Sequence, residues 1–322
     1  MQKTNISWAD KTRNPVIGCS PCSPGCANCY AKDLHDKRHK AYLEGKKVPA
    51  CYAEPFDKIT VRQERLEEPM HLCKPATIFV WSMGDLFRPD VADEWISHVF
   101  NTATNCPKHT FMILTKQPER MLNYVLGLKG QWIDISDGSV SKIRNNIWLG
   151  VTVCNQDEAD EKIPILLATP AAHRFVSIEP MLGGVDFLHT PCVGQHWDYL
   201  TGEYEGARER TTTSHLDLVI CGGETGKNAR PMHPDWVRSL RDQCKAADVP
   251  FHFKQWGEWL PVETQDRFDP YGWSGQDNDT YHDSQVQLCQ PEEGVFADFV
   301  RVGSKRAGHL LDGVEYRAMP GD

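Results

Sequence analysis

The chain has 322 residues, 40% of them hydrophobic and 25% charged, an ordinary globular composition that excludes disorder and collagen-like repeats. With 35 Lys and Arg against 44 Asp and Glu the formal net charge is −9, so a nucleic-acid partner requires a local basic patch. No apolar run approaches the ~20 residues that span a bilayer, and the start MQKTNISWAD lacks the basic-then-apolar pattern of a secretory leader, so a cytoplasmic location is expected.

The first feature along the chain is Gly18-Cys-Ser-Pro-Cys-Ser-Pro-Gly-Cys-Ala-Asn-Cys-Tyr30, the cluster loop 18–30, which gathers four of the 12 cysteines. A disulfide framework spreads its partners along a chain, and a chain this long needs no staples, so the group reads as metal chemistry. Four thiolates around one zinc normally come from separated parts of a sequence, whereas these two C-x2-C pairs are nearly contiguous. A redox dithiol needs one pair and leaves the other unexplained. Three thiolates, Cys22, Cys26 and Cys29, would hold an iron–sulfur cluster with one iron free of protein ligands. Pro21, Pro24 and Gly25 form the kind of loop that turns backbone N–H groups toward the sulfurs. Residues 32–47, rich in Lys and Arg, follow directly. They serve either phosphate contacts or the solvated face of a helix.

From Thr77 onward short β-rich runs alternate with helical segments. The runs are Thr77-Ile-Phe-Val-Trp-Ser82, Thr110-Phe-Met-Ile-Leu-Thr-Lys116, Ile147-Trp-Leu-Gly-Val-Thr-Val153, Arg174-Phe-Val-Ser-Ile-Glu179, Leu216-Asp-Leu-Val-Ile-Cys221 and Pro250-Phe-His-Phe-Lys254. Near-continuous apolarity suits strands covered on both faces, as in a parallel sheet. Helices are expected over 91–104, 157–168 and 234–247, and a seventh strand near 14–18. The fold class is α/β, a partial or complete (β/α) TIM-like barrel of about six to seven parallel strands. The barrel is expected over 1–258, with a polar connection at 127–146 and a long insertion at 185–215. An irregular C-terminal extension, 259–322, is expected to pack over one opening.

Parallel barrels assemble their sites at the carboxyl ends of strands. Polar residues gather there: Ser82 and Asp85, Thr115 and Lys116, Thr152 and Asn155, Ser177 and Glu179, then Glu224, Lys254 and Gln255. Each has a plain alternative as a turn, cap or salt-bridge residue. Glu179 suits hydrogen bonding or proton transfer, or an ion pair. Lys116 and Lys254 suit a carboxylate or phosphate, or pair with Glu179 and Glu224. The sequence contains neither HExxH nor G-x4-GK[ST], so zinc-hydrolase and P-loop chemistry lack support.

C-x3-C-x2-C followed by Tyr30, ahead of a (β/α) array, resembles the radical S-adenosylmethionine (SAM) superfamily. Cys29-Tyr30 and the strand end Leu114-Thr-Lys116 resemble the branch containing spore photoproduct lyase. Nearly the whole chain resembles a phage and prophage family of no established function. The shared stretches are Asn5-Ile-Ser-Trp8, Ser23-Pro-Gly-Cys26, Ser82-Met-Gly-Asp-Leu-Phe87, Ile113-Leu-Thr-Lys116, Ser177-Ile-Glu-Pro180, Gly222-Gly-Glu224, Arg230-Pro-Met-His-Pro-Asp-Trp236 and Lys254-Gln-Trp-Gly-Glu258. Members of that family often carry C-x6-C-x2-C, which here selects Cys19, Cys26 and Cys29. Cys26 and Cys29 are common to both patterns; the third ligand is Cys22 by spacing or Cys19 by resemblance.

The superfamily resemblance implies a [4Fe–4S] cluster whose open iron chelates SAM. It also implies a flavodoxin- or ferredoxin-type one-electron donor, reductive cleavage of SAM and hydrogen abstraction from substrate. The protein then binds, orients and excludes water. The superfamily's Gly-Gly-Glu element follows its second strand, whereas Gly222-Gly-Glu224 follows the sixth run here; the positional counterpart is Ser82-Met-Gly-Asp85. Expected cofactor contacts are thus Tyr30, Ser82, Asp85, Thr115, Thr152 and Asn155 (toward the ribose) and Glu179. Expected catalytic groups are Glu179, Lys116 and Lys254. The expected substrate is DNA, RNA or a modified nucleoside. A small-molecule or peptide substrate is one alternative; a zinc-stabilised nucleic-acid-binding or phage structural protein is another.

Overall fold

The apolar runs fold into strands in the order in which they occur. The structure, a computed structural model, describes residues 2–128, 133–134, 142–192, 195–205, 210–212, 214–262, 285–290 and 295–321. Its main sheet contains β1 (Gln2–Lys3), β2 (Lys11–Arg13), β3 (Thr77–Val80), β4 (Thr110–Thr115), β5 (Ile147–Val153), β6 (His173–Ile178), β7 (Leu218–Gly222) and β8 (Phe251–Gln255). Strands β2 to β8 are parallel, each beside its sequence neighbour, and β1 lies antiparallel at the edge. The parallel strands curl into a half-barrel with helices, the partial-barrel form of the expected α/β class.

The seventh strand lies at Lys11–Arg13, upstream of its expected place at 14–18. Pro15 has no N–H to give a ladder, and beyond it Val16–Ile17 pairs antiparallel with Thr60–Val61 instead. The helices are α1 (Tyr30–Leu43), α2 (Asp93–Thr104), α3 (Pro118–Gly127), α4 (Gln156–Ala168) and α5 (Pro234–Ala246). Proline opens α3 and α5, where its missing N–H leaves no bond unmade. In α2, Ile96, Val99, Phe100 and Ala103 recur at helical spacing and are all buried. Every residue of β5 is buried, as a central strand covered on both faces must be.

Within the curl, Trp8 joins Phe79, Met112, Trp148, Phe175, Leu218 and Ile220 in one apolar cluster. Its ring centroid lies 4.6 Å from Phe79 and 6.3 Å from Phe175, so the segment before β2 plugs the lower interior.

The insertion 185–215 is not an open loop. Leu188–Cys192, Gln195–Asp198, Glu203–Glu205 and Arg210–Thr212 form an antiparallel sheet. It docks on α4 and α5 through His189 Nδ1 with Asp160 at 3.0 Å, Gln243 Nε2 donating to Val185 O at 3.0 Å, and the Phe187 amide donating to Gln243 Oε1 at 2.8 Å. In the connection 127–146, Ile133–Asp134 pairs with Lys142–Ile143; the intervening residues lie outside the described ones.

The C-terminal part, expected to be irregular, contains an antiparallel sheet of Trp259–Val262, Val295–Arg301 and Gln285–Gln290. Its tail then runs along the free edge of β8. The Phe253 amide donates to Tyr316 O at 2.9 Å and the Trp256 amide to Gly308 O at 3.1 Å, covering groups that an open sheet edge would leave unpaired. Among the described residues no helix is long and apolar enough to cross a membrane.

Candidate functional site

A cavity of about 630 Å³ sits at the carboxyl ends of the parallel strands, and Cys19, Cys22, Cys26 and Cys29 all line it. The cysteine loop reaches it from both sides. On one side Gly18 bridges Gly84, and the Cys19 amide donates to Phe56 O at 2.8 Å. A short turn, Pro24–Cys26, is capped by Ser23, whose Oγ accepts from the Gly25 amide at 3.2 Å. Gly25 rests against β5 and β6: a Cβ there would stand 2.5 Å from Cys154 Sγ and 3.0 Å from Pro180 Cδ.

On the other side Asn28 Nδ2 donates to Glu224 Oε2 at 2.9 Å and to Asn228 O at 2.8 Å. Arg230 Nη2 donates to Pro24 O at 3.1 Å and to Glu224 Oε1 at 2.5 Å. Burial alone would raise the Glu224 pKa, but the hydrogen bonds from Arg230 and Asn28 hold it below the usual carboxylate value. The loop is thereby pinned between the end of β3 and the end of β7.

All four loop thiols are free. Donation from the Cys22 thiol holds Cys26 down at about 5 and pushes Cys22 itself up. Burial pushes Cys19 up to about 11, with Asp85, Cys26 and Cys29 adding to its field. Burial also pushes Cys154, behind Gly25, up to about 11. The half-buried Lys116 ammonium faces these sulfurs. Its burial opposes the charge, but Cys26, Cys154 and Asp85 prevail and raise its pKa. Among the described residues no three His, Cys, Asp or Glu groups converge on a single ion-sized point.

Of the residues expected at the rim, Tyr30, Ser82, Asp85, Thr115, Lys116, Thr152, Glu179 and Lys254 line this one cavity. Several are already engaged by the protein. Asp85 Oδ1 accepts from Thr115 Oγ1 at 2.7 Å and from the Phe87 amide at 2.9 Å, and Oδ2 accepts from the Lys116 amide at 2.7 Å. It therefore locks the end of β3 to the end of β4. Ser82 exchanges hydrogen bonds with Asn14 at 3.0 and 3.2 Å, and Tyr30 OH donates to Ser82 O at 2.6 Å.

Trp81, just before this turn, has φ 72, a left-handed conformation that costs a bulky residue roughly 1–2 kcal/mol. Its amide donation to Arg13 O at 2.7 Å helps to hold it. Glu179 Oε2 accepts from Lys254 Nζ at 2.9 Å, realising the ion-pair alternative. Glu224 pairs with Arg230 and not with a lysine.

Asn155 departs from expectation. Its Oδ1 accepts from the Glu158 amide at 3.1 Å as the N-cap of α4, so it is committed to ending a helix and is absent from the cavity wall. The basic stretch 32–47 is largely α1 and its exposed continuation, with Lys32 paired to Asp36 and Arg38 stacked over Tyr52. Sequence reasoning passed over Asn14, Asn28, Cys154 and Arg230. Asn28 stands inside the cysteine loop and Arg230 opens one of the shared stretches, so a signal existed. Asn14 and Cys154 carried none beyond standing at strand ends.

Over residues 3–320 the chain matches the family described as Protein of unknown function (DUF5131). It belongs to that family. No curated protein and no solved structure matches it. The DUF5131 match takes in the cysteine loop, the half-barrel, the insertion and the C-terminal sheet and tail alike, so the tail along β8 is part of the family unit.

Proposed function

We propose that this chain is a radical SAM enzyme that holds a [4Fe–4S] cluster on Cys19, Cys26 and Cys29 and acts on a nucleic acid or nucleoside. The observation that carries the reading is the placement of four free thiols on one loop beside a cavity at the carboxyl rim of a parallel half-barrel. The donor set fits: soft thiolates favour iron–sulfur clusters, Cys26 is already poised as the thiolate, and Lys116 offsets the negative charge. Cys19 is taken as the third ligand on the C-x6-C-x2-C pattern of the family resemblance, which leaves Cys22 as the thiol that donates to Cys26.

Bound there, the cluster and SAM would supply one-electron cleavage of SAM and hydrogen abstraction. The chain's own residues bind and orient. Asp85 fixes the Thr115–Lys116 rim, and Tyr30 holds the 82–85 turn against the cysteine loop. Lys254 Nζ donates to Glu179 Oε2 at 2.9 Å and orients that carboxylate beside the cavity. The Trp8 plug closes the lower interior to water. The cavity wall carries Lys3, Arg38, Arg62, Arg65, Arg88, Lys116 and Lys254 but only Asp85 and Glu179 as acids, in a chain of net charge −9. Arg62, Arg65 and Arg88 are paired with Glu64, Glu68 and Asp90 and Lys254 with Glu179, so the positive charge on which a phosphate-bearing substrate would draw rests on Lys3, Arg38 and Lys116. A cytoplasmic setting and a flavodoxin- or ferredoxin-type electron donor complete the proposal.

Protein purified without oxygen should carry about four irons per chain and release 5′-deoxyadenosine from SAM when reduced. Cys19→Ala should bleach it and Cys22→Ala should not. Colourless protein holding one tightly bound zinc would overturn the reading.

A further inference from the structure

The deep wall of the cavity has a polar pattern that the cysteine loop does not explain. Where β6, β7 and β8 end, Ser177, Glu179 and Lys254 line it. Ser177 is 0% exposed and its Oγ has no hydrogen-bond partner; Glu179 Oε1 has none either. Folded proteins leave few buried polar atoms unmatched, and those lining a cavity mark where a ligand's own polar groups complete the network.

Glu179 Oε2 takes one N–H of Lys254 at 2.9 Å, which leaves the ammonium further donors beside the free acceptor Oε1. An acceptor and a donor thus stand side by side. Gly222 makes room for this: a Cβ there would stand 2.9 Å from Glu179 Oε1 and 3.4 Å from Lys254 Cβ. Trp8, Phe79 and Leu114 give the same cavity apolar surface, which suits the faces of a flat ring.

We infer, resting on the nucleic-acid or nucleoside reading above, that Ser177, Glu179 and Lys254 form a pocket for one unstacked nucleobase. The base gives an N–H to Glu179 and presents an acceptor to Lys254, with its phosphate toward the part of the cavity wall that carries Lys3, Arg38 and Lys116. A base inside a duplex cannot reach this wall, so the ligand is a single-stranded, extrahelical or free nucleotide.

The test is equilibrium binding to full-length protein without reductant, using uridine 5′-monophosphate and ribose 5-phosphate as probes. The nucleotide should bind at least about tenfold tighter than the sugar phosphate, the scale of a hydrogen bond to a charged group. Glu179→Gln should remove most of that difference and leave the sugar phosphate unaffected. Ser177→Ala should weaken the nucleotide about threefold to tenfold while its thermal midpoint holds or rises, because an unmatched buried hydroxyl is removed. A group with a merely structural role would not separate affinity from stability in that way. A short single strand should compete with the nucleotide better than its duplex.

Equal affinity for both probes, no binding of either, unchanged nucleotide affinity in both variants, or competition as strong from duplex would overturn the pocket. Because no turnover is read, protein that cleaves SAM but fails these tests loses only the pocket. Protein that passes them without iron loses only the radical chemistry.

Discussion

The two ends of one interior make opposite use of the same strands. At the amino end Trp8 packs 4.6 Å from the Phe79 ring, within a cluster that also takes in Trp148, Phe175 and Leu218. One or two inward positions further along those strands the wall becomes Thr152, Ser177, Glu179 and Lys254 around a cavity of about 630 Å³. Period-two alternation keeps both sets on the inner face. What changes between the layers is whether apolar side chains fill the space or polar ones are left around it. Filling the lower layer adds to the half-barrel's cohesion; leaving the upper layer open leaves Ser177 Oγ and Glu179 Oε1 buried without hydrogen-bond partners, at a cost to stability.

Substitutions that reverse the character of each end would break this contrast. The largest effect is expected from Cys26→Ala, which should abolish iron retention by metal analysis while the unfolding midpoint moves little. Trp8→Ala should do the opposite: about 3–5 kcal/mol lost in denaturant unfolding, with iron still bound by the folded fraction. If Trp8→Ala spared stability, the lower layer would not be the core described.

The clamp across the mouth comes next. Glu224→Gln weakens bonds from Arg230 and Asn28 and should cost about 2 kcal/mol. Because the Glu224 pKa is lowered on folding, its contribution is present above the ordinary carboxylate pKa and is lost as pH falls through the depressed value. Urea unfolding followed toward acid should show that loss in the wild type and a flatter profile in the variant.

Gly25→Ala brings a Cβ to 2.5 Å from Cys154 Sγ. It should lower stability by roughly 1–3 kcal/mol, as overpacking does, and loosen iron retention; Cys154→Ala in the same chain should restore both in part. Asn155→Ala is the mildest, about 1 kcal/mol from the lost helix cap, with SAM and nucleotide affinity unchanged. A fall in SAM affinity there would reinstate Asn155 as a ligand contact.

Several of these sites differ in how legible they were. The runs at Ile147-Trp-Leu-Gly-Val-Thr-Val153 and Thr110-Phe-Met-Ile-Leu-Thr-Lys116 announce buried parallel strands because apolarity without alternation has few other meanings. Their polar termini mark the rim for the same reason. The β2 position was less legible: Lys11–Arg13 has no apolar pattern, and its pairing with β3 is imposed by the sheet. The sheet within 185–215 went unseen because its short polar strands carry little signal apart from the partners they find.

The sequence alone determined the α/β class, the chain order of the strands, and the set of thiols, cations and carboxylates available at strand ends, since each is written in local periodicity or composition. Tertiary structure alone decided which of them meet. Asn28 and Glu224 stand 196 residues apart in the chain yet hydrogen-bond at 2.9 Å, Asn155 was drawn into a helix cap, and the C-terminal tail came to cover β8. Such pairings depend on how the sheet curls and on which buried groups compete for each donor, and no short stretch of sequence contains that information.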